Sequence, residues 1–193
     1  MKRIVAVLLL ACCAVSAKTQ AIAAGTPIAP ADAFNTPLNA AETQVMLLVK
    51  AMPADKYGFA PSAAIFAPGR ETDFVGVRTF GALVIHVAQA NYGMAAKLGG
   101  IKPDIDPASL RGLTDKDQIV AALSASFAFV HKAFGTITTE NVFLSLGGPT
   151  TRATLAAGNL AHTFDEYGQM VEYARMTNVK PPPSGPPAPP KAN

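Results

Sequence analysis

The chain has 193 residues, half of them apolar, 15% charged and none of them tryptophan. That length and composition fit one compact domain with an ordinary core. The formal charge of +3 falls to +1 once Lys2 and Arg3 are set aside with the leader described next; no basic run or Arg-rich helix is left, and nothing points to nucleic acid as a partner.

The N-terminus sets the expected compartment. Lys2 and Arg3 precede an Ala/Leu-rich apolar run, Ile4 to Val15, that is too short to span a bilayer as a mature helix. Val15-Ser16-Ala17 places small residues where a signal peptidase reads, and Ala23-Ala24 offers a later stop. Residues 1–17 therefore read as a secretory signal peptide, and the protein as periplasmic or extracellular, with no integral membrane span in the mature chain. Both cysteines, Cys12 and Cys13, lie inside that segment, so the mature chain is expected to have neither a disulfide nor a thiol nucleophile. Leu9-Leu10-Ala11-Cys12 resembles a lipobox; the short apolar run before Cys12 ranks a lipoprotein second.

Four helical stretches follow. Phe34, Leu38, Ala41, Val45, Leu48 and Met52 form one helical face, predicting a helix over about 37–52 that ends at Pro53. Residues 55–77 have no sustained period and read as a long loop. Thr79 is a good N-cap for a second helix with the stripe Phe80, Leu83, Val87, Ala90, Met94 and Leu98, stopped by Gly99-Gly100. After a Pro-rich loop, Thr114 can cap a third helix; Asp115 and Asp117 favour its dipole, and Ile119, Leu123, Phe127, Val130 and Phe134 form its face. A fourth helix is expected over about 150–178. Residues 181–193 are Pro-rich and read as an extended, disordered tail. Without strand alternation, a solenoid repeat or a domain boundary inside 34–180, the expectation is all-α, an up-down four-helix bundle.

Common catalytic signatures are missing. "GGPTTR" (147–152) precedes a helix but lacks the lysine of a phosphate-binding loop and reads as a loop and N-cap. There is no Gly-x-Ser-x-Gly elbow, and Asp104 and Asp106 lack the other ligands of a calcium loop. Three histidines remain: His86, His131 and His162. His86 and His131 each lie about 80° from the centre of their own apolar stripe, a boundary position on a helix. His131 has no partner signal and reads as a partly solvated helix residue.

His162 has a carboxylate four residues on, Glu166, on the same helix face. Leu155, Asn159, His162, Glu166, Met170 and Tyr173 form one candidate core face. Ala156, Leu160, Tyr167, Val171 and Ala174 form the rival, which would leave His162 and Glu166 near water. Periodicity leaves both open. If Glu166 is buried, an Arg or Lys, a polar network or a cation must compensate it. A His and a Glu at i,i+4 can meet one divalent ion, with His86 from the second helix the natural third ligand.

"MPADKYGFAP" (52–61), "RTFGALVIHVAQAN" (78–91) and "NLAHTFDEYGQMVEYAR" (159–175), in this order, resemble the DinB-like superfamily of four-helix bundles over roughly residues 34–183. The leader and Pro-rich tail resemble its secreted members. The resemblance implies a compact bundle, often a homodimer, and a divalent metal on three histidines, one in the second helix and two, four residues apart, in the fourth. His86 and His162 match two of these; Glu166 stands where the family has its third histidine. A two-His, one-Glu set with open positions suits zinc first, and also iron, manganese or nickel; a drifted site without metal is the other outcome. The family includes thiol-dependent transferases and isomerases, but an exported protein meets a thiol-poor compartment. The expected function is a metal-dependent transferase or hydrolase acting on an unknown small molecule, with Asn159 orienting a ligand or substrate and Tyr167 packing. The absence of a separate general base weakens the enzyme case. The alternative is a non-catalytic bundle that binds a metal, a small ligand or a protein partner.

Overall fold

Four helices, α1 (Pro30–Ala51), α2 (Phe80–Gly99), α3 (Lys116–Phe134) and α4 (Arg152–Met176), dominate the computed structural model, which describes residues 22–69 and 72–183. No strand occurs among the described residues, so the expected all-α bundle is what forms. The leader, with Cys12, and residues 184–193 of the expected tail lie outside the described residues. Among those described, no helix is long and apolar enough to cross a membrane.

Most helix ends follow their local chemistry. Thr79 caps α2 by accepting from Ala82 N, and Gly100 ends it with a left-handed φ of 63°, which glycine adopts without a Cβ penalty. Thr151 and Thr154 form a reciprocal capping box at the start of α4, so the 147–152 stretch is indeed a loop and cap. Two ends differ from expectation. Asp115, not Thr114, caps α3, accepting from Gln118 N at 2.9 Å. α1 begins at Pro30 rather than near Pro37. A proline in the first turn lacks only an N–H that the helix does not use, so Pro30 is the natural start; Pro37 is carried inside the helix at the loss of one backbone bond.

Side-chain pairings fix the helix directions. Phe34 packs edge-on to Phe134, and Lys116 donates to the Lys50 carbonyl, so α1 and α3 are antiparallel. A Cβ on Gly81 would lie 3.5 Å from the Ile119 side chain, and one on Gly99 3.2 Å from Ala133 Cα, so α2 and α3 run parallel and touch backbone to backbone at Gly99. Asn91 meets Asn159 and His86 meets Glu166, which makes α2 and α4 antiparallel. The order is therefore up-down-down-up, which corrects the alternating up-down order expected: the return of residues 100–115 makes α2 and α3 parallel. Parallel neighbours need a full-length crossover. Residues 100–115 supply it, running back along α2, where Gln89 donates to the Pro107 carbonyl and Leu110 is buried.

α2 is consequently covered by α3, α4 and this returning segment, and its buried residues extend well beyond the expected stripe. The core includes Leu38, Leu48, Phe80, Leu83, Leu123, Phe127 and Met170, all 1% exposed or less. Burial of each such side chain contributes roughly 1.5–3 kcal/mol. That packing is the rigid frame on which the α2–α4 seam is built.

Candidate metal centre on the α2–α4 seam

The buried face of α4 comprises Ala156, Asn159, Thr163, Glu166, Tyr167, Met170, Tyr173 and Ala174. It lies between the two faces left open by the periodicity and takes members from each. Leu155, Leu160, His162 and Val171 flank it, half-buried. The face is unusually polar for a core, and Glu166 sits in the middle of it with its side chain 7% exposed.

A carboxylate at that depth needs compensation. Among the described residues no Lys or Arg forms an ion pair with Glu166. Its oxygens meet two imidazoles and an amide: Oε1 lies 3.4 Å from His86 Nε2 and 3.7 Å from His162 Nε2, and Oε2 accepts weakly from Gln169 Nε2 at 3.4 Å. The imidazoles also meet, with 3.1 Å between their Nε2 atoms.

These atoms form a nearly equilateral triangle. The point equidistant from all three lies about 2.0 Å from each, a normal zinc–nitrogen or zinc–oxygen bond length. A first-row divalent ion therefore fits with little side-chain movement. The donor chemistry agrees: neutral imidazole and carboxylate suit zinc, iron, manganese and nickel. Within the described residues, His86, His162 and Glu166 are the group of such side chains close enough to hold an ion. The structure thus brings together all three residues expected to be ligands, from two helices whose sequence separation says nothing about their distance.

The surroundings favour neutral imidazole. Burial lowers the His86 pKa, the Arg78 guanidinium lowers it further, Glu166 opposes, and His162 adds a small lowering contribution. Tyr173, two turns beyond Glu166, has its phenol pKa raised by burial and by the Glu166 carboxylate, with Arg78 opposing. Phe59 packs edge-on to the Tyr173 ring at 5.7 Å. The His86 and His162 side chains remain 32% and 25% exposed, so the centre is reached from solvent on the imidazole side and closed by protein on the carboxylate side.

Beneath the triangle runs a polar ladder whose extent the sequence did not announce. Asn159 donates to Asn91 Oδ1, Asn91 donates to Ser126 Oγ, and Ser126 donates to the Leu123 carbonyl, linking α4, α2 and α3. Asn91, Ser126 and Asn159 are at most 1% exposed. The available signal was positional: Asn91 lies five residues after His86 and Asn159 three before His162.

His131 does not join the centre, as expected, but it is partnered rather than merely solvated. Its Nδ1 lies 2.7 Å from Asn35 Oδ1 and its Nε2 2.9 Å from Glu42 Oε2, tying α3 to α1. Neither partner is near it in sequence. Asp106 caps the short 3-10 turn Pro107–Gly112, a structural role. No family model matches this sequence, and no curated protein matches it closely enough to count as a relative.

Proposed function

We propose that the protein is an exported, DinB-like four-helix bundle that holds one divalent metal ion, zinc first, on His86, His162 and Glu166, and acts as a metal-dependent transferase or hydrolase on a small molecule. The observation that carries the metal reading is the convergence of the three ligand atoms on a point about 2.0 Å from each, around a buried carboxylate with no Lys or Arg ion pair among the described residues.

Each residue has a definite part in this reading. The two imidazoles donate lone pairs from Nε2. Glu166 brings one negative charge, which leaves a dication with a net charge of about +1. Gln169 steadies the second carboxylate oxygen, and burial holds the carboxylate in place. Three protein ligands would leave a bound ion able to take a further donor, and the exposed imidazole edges are the side from which solvent reaches the centre. When bound, the ion supplies Lewis acidity and lowers the pKa of a coordinated water or thiol. Tyr173, kept protonated by burial and by Glu166, is the nearby group able to donate a hydrogen bond to a bound molecule.

The test is elemental analysis of mature protein purified without a histidine tag, beside the Glu166→Ala and Glu166→His variants. The expected result is about one metal per chain in the wild type, almost none in Glu166→Ala, and recovery in Glu166→His, which restores the three-histidine set the resemblance implies. Sub-stoichiometric metal in all three proteins would overturn the reading.

A further inference from the structure

Two buried polar atoms near the centre are left over by the contacts described so far. Among the described residues Asn159 Oδ1, a hydrogen-bond acceptor, has no partner, and His162 Nδ1, the ring nitrogen away from the triangle, has none either. Both belong to α4, three residues apart, and so share a helix face. A buried polar atom without a partner is destabilising, and here one of the two is able to receive what the other is able to give.

The direction of the ladder shows which is which. A backbone carbonyl only accepts, so the hydroxyl of Ser126, 2.7 Å from the Leu123 carbonyl, spends its single proton there. Ser126 Oγ must then accept from Asn91, whose amide nitrogen faces it at 3.1 Å, and that places Asn91 Oδ1 toward α4. Asn91 Oδ1 accepts from Asn159 Nδ2 at 2.9 Å, which leaves Asn159 Oδ1 as the free end of the chain. The amide orientations are thus set by one carbonyl on α3, and the ladder ends on α4 as an acceptor and not as a donor.

We propose that Asn159 is the positioning residue for His162: its Oδ1 receives the Nδ1–H of the imidazole, with a single water completing the span, and thereby holds His162 in the tautomer whose Nε2 lone pair points at His86 and Glu166. Neutral imidazole carries one ring proton, so an acceptor on the Nδ1 side leaves Nε2 bare. Without that acceptor the proton is free to sit on Nε2, where it would point into the triangle and block a ligand position. Histidine ligands are ordinarily oriented by a partner of this kind on the far nitrogen. Here the partner would be the last rung of a ladder spanning three helices, so the ring orientation at the centre is coupled to the α2–α3 packing.

The experiment reads the tautomer directly. In protein with 15N-labelled histidines and no metal, long-range proton–nitrogen correlation spectra report which ring nitrogen of His162 is protonated. The wild type is expected to show a single Nδ1–H form and Asn159→Ala a mixture of both tautomers. His131→Ala breaks contacts between α1 and α3 and leaves the ladder whole, so it should keep the wild-type pattern while losing comparable thermal stability. With zinc as the probe, Asn159→Ala should bind roughly 10- to 100-fold more weakly and His131→Ala within threefold of wild type. An unchanged His162 tautomer in folded Asn159→Ala, or a wild-type tautomer already protonated on Nε2, overturns the proposal. If Asn159→Ala does not fold, Asn159→Asp keeps the acceptor and should keep the Nδ1–H form; loss of that form overturns the proposal as well. The affinity arm rests on the metal reading above, whereas the tautomer arm does not, so failure of zinc to bind wild-type protein is separable from failure of Asn159 to orient the ring.

Discussion

The bundle pairs histidine with glutamate on two seams, and the seams are built differently. On the α1–α3 seam, His131 uses both ring nitrogens, one toward Asn35 and one toward Glu42, so the ring is saturated and its partners lie on opposite sides of it. On the α2–α4 seam, three ligand atoms from three residues face one another within 3.7 Å, and His162 Nδ1 is buried without a hydrogen-bond partner among the described residues. Glu42 is 28% exposed in its side chain and rests partly on water; Glu166 is 7% exposed and cannot. Proximity of imidazole and carboxylate is thus common to a fastening and a site. What distinguishes the site is convergence on one point with lone pairs left over, around a charge that no Lys or Arg pairs with among the described residues.

Substitution of the histidines gives the largest expected contrast. His86→Ala should abolish stoichiometric metal binding, whereas His131→Ala should keep about one metal per chain; elemental analysis of the two variants decides it, and equal metal content in both would erase the distinction between the seams.

A second contrast comes from removing the ion with a chelator. A ligand present at about 100 times its dissociation constant stabilises the native state by roughly 2.7 kcal/mol, so metal-free protein should melt earlier by that measure. Amide hydrogen exchange should then quicken around residues 159–170 of α4 and stay unchanged around residues 35–42 of α1. Loosening of equal size at both places would show that the α2–α4 seam has no ion of its own.

The α1–α3 fastening sets a smaller scale. Its hydrogen bonds predict that His131→Ala destabilises the fold by roughly 1–2 kcal/mol, with a coupling to Glu42→Ala of about 1 kcal/mol in a double-mutant cycle followed by urea unfolding. A coupling near zero would demote the pair to a surface contact.

The smallest effect is a pH effect away from either histidine site. Tyr57 donates to the Val49 carbonyl from a buried position, and burial, with a further contribution from Asp117, raises its phenol pKa well above the ordinary tyrosine range. A raised folded pKa means that the stability it contributes is fully present below about pH 10 and is lost as pH rises beyond that. Tyr57→Phe should therefore be about 1 kcal/mol less stable at neutral pH, from loss of the hydrogen bond, and should show a shallower decline in alkali. Unfolding curves against pH for the two proteins test this; parallel decline would place the Tyr57 hydroxyl in contact with solvent.

Local chemistry in the sequence determined much of this protein. Thr79 and Gly100 bound α2 because one side chain satisfies an exposed amide and the other residue accepts a left-handed turn at no cost. The apolar spacing from Leu38 to Met52 marked the buried face of α1, and the i,i+4 spacing of His162 and Glu166 put them on one side of α4 because helix geometry is the same everywhere. Where two local signals compete, packing decides: Pro30 and Pro37 can each open a helix, and the contact of Phe34 with Phe134 holds the first turns so that α1 begins at Pro30.

Tertiary structure decided the rest. The core side of α4 was undecidable from periodicity, since its polar members, Asn159, Thr163 and Glu166, face inward and its apolar ones are spread around the helix. The parallel course of α2 and α3 follows from the return of residues 100–115 along α2, and it places α4 opposite α2 in the antiparallel sense that brings residue 86 beside residues 162 and 166. The same packing gives His131 its partners on α1, 89 and 96 positions away. Spacing along a helix is set by backbone geometry and is legible residue by residue; distance between helices is set by which faces bury together, a property of the whole chain that no stretch of it contains.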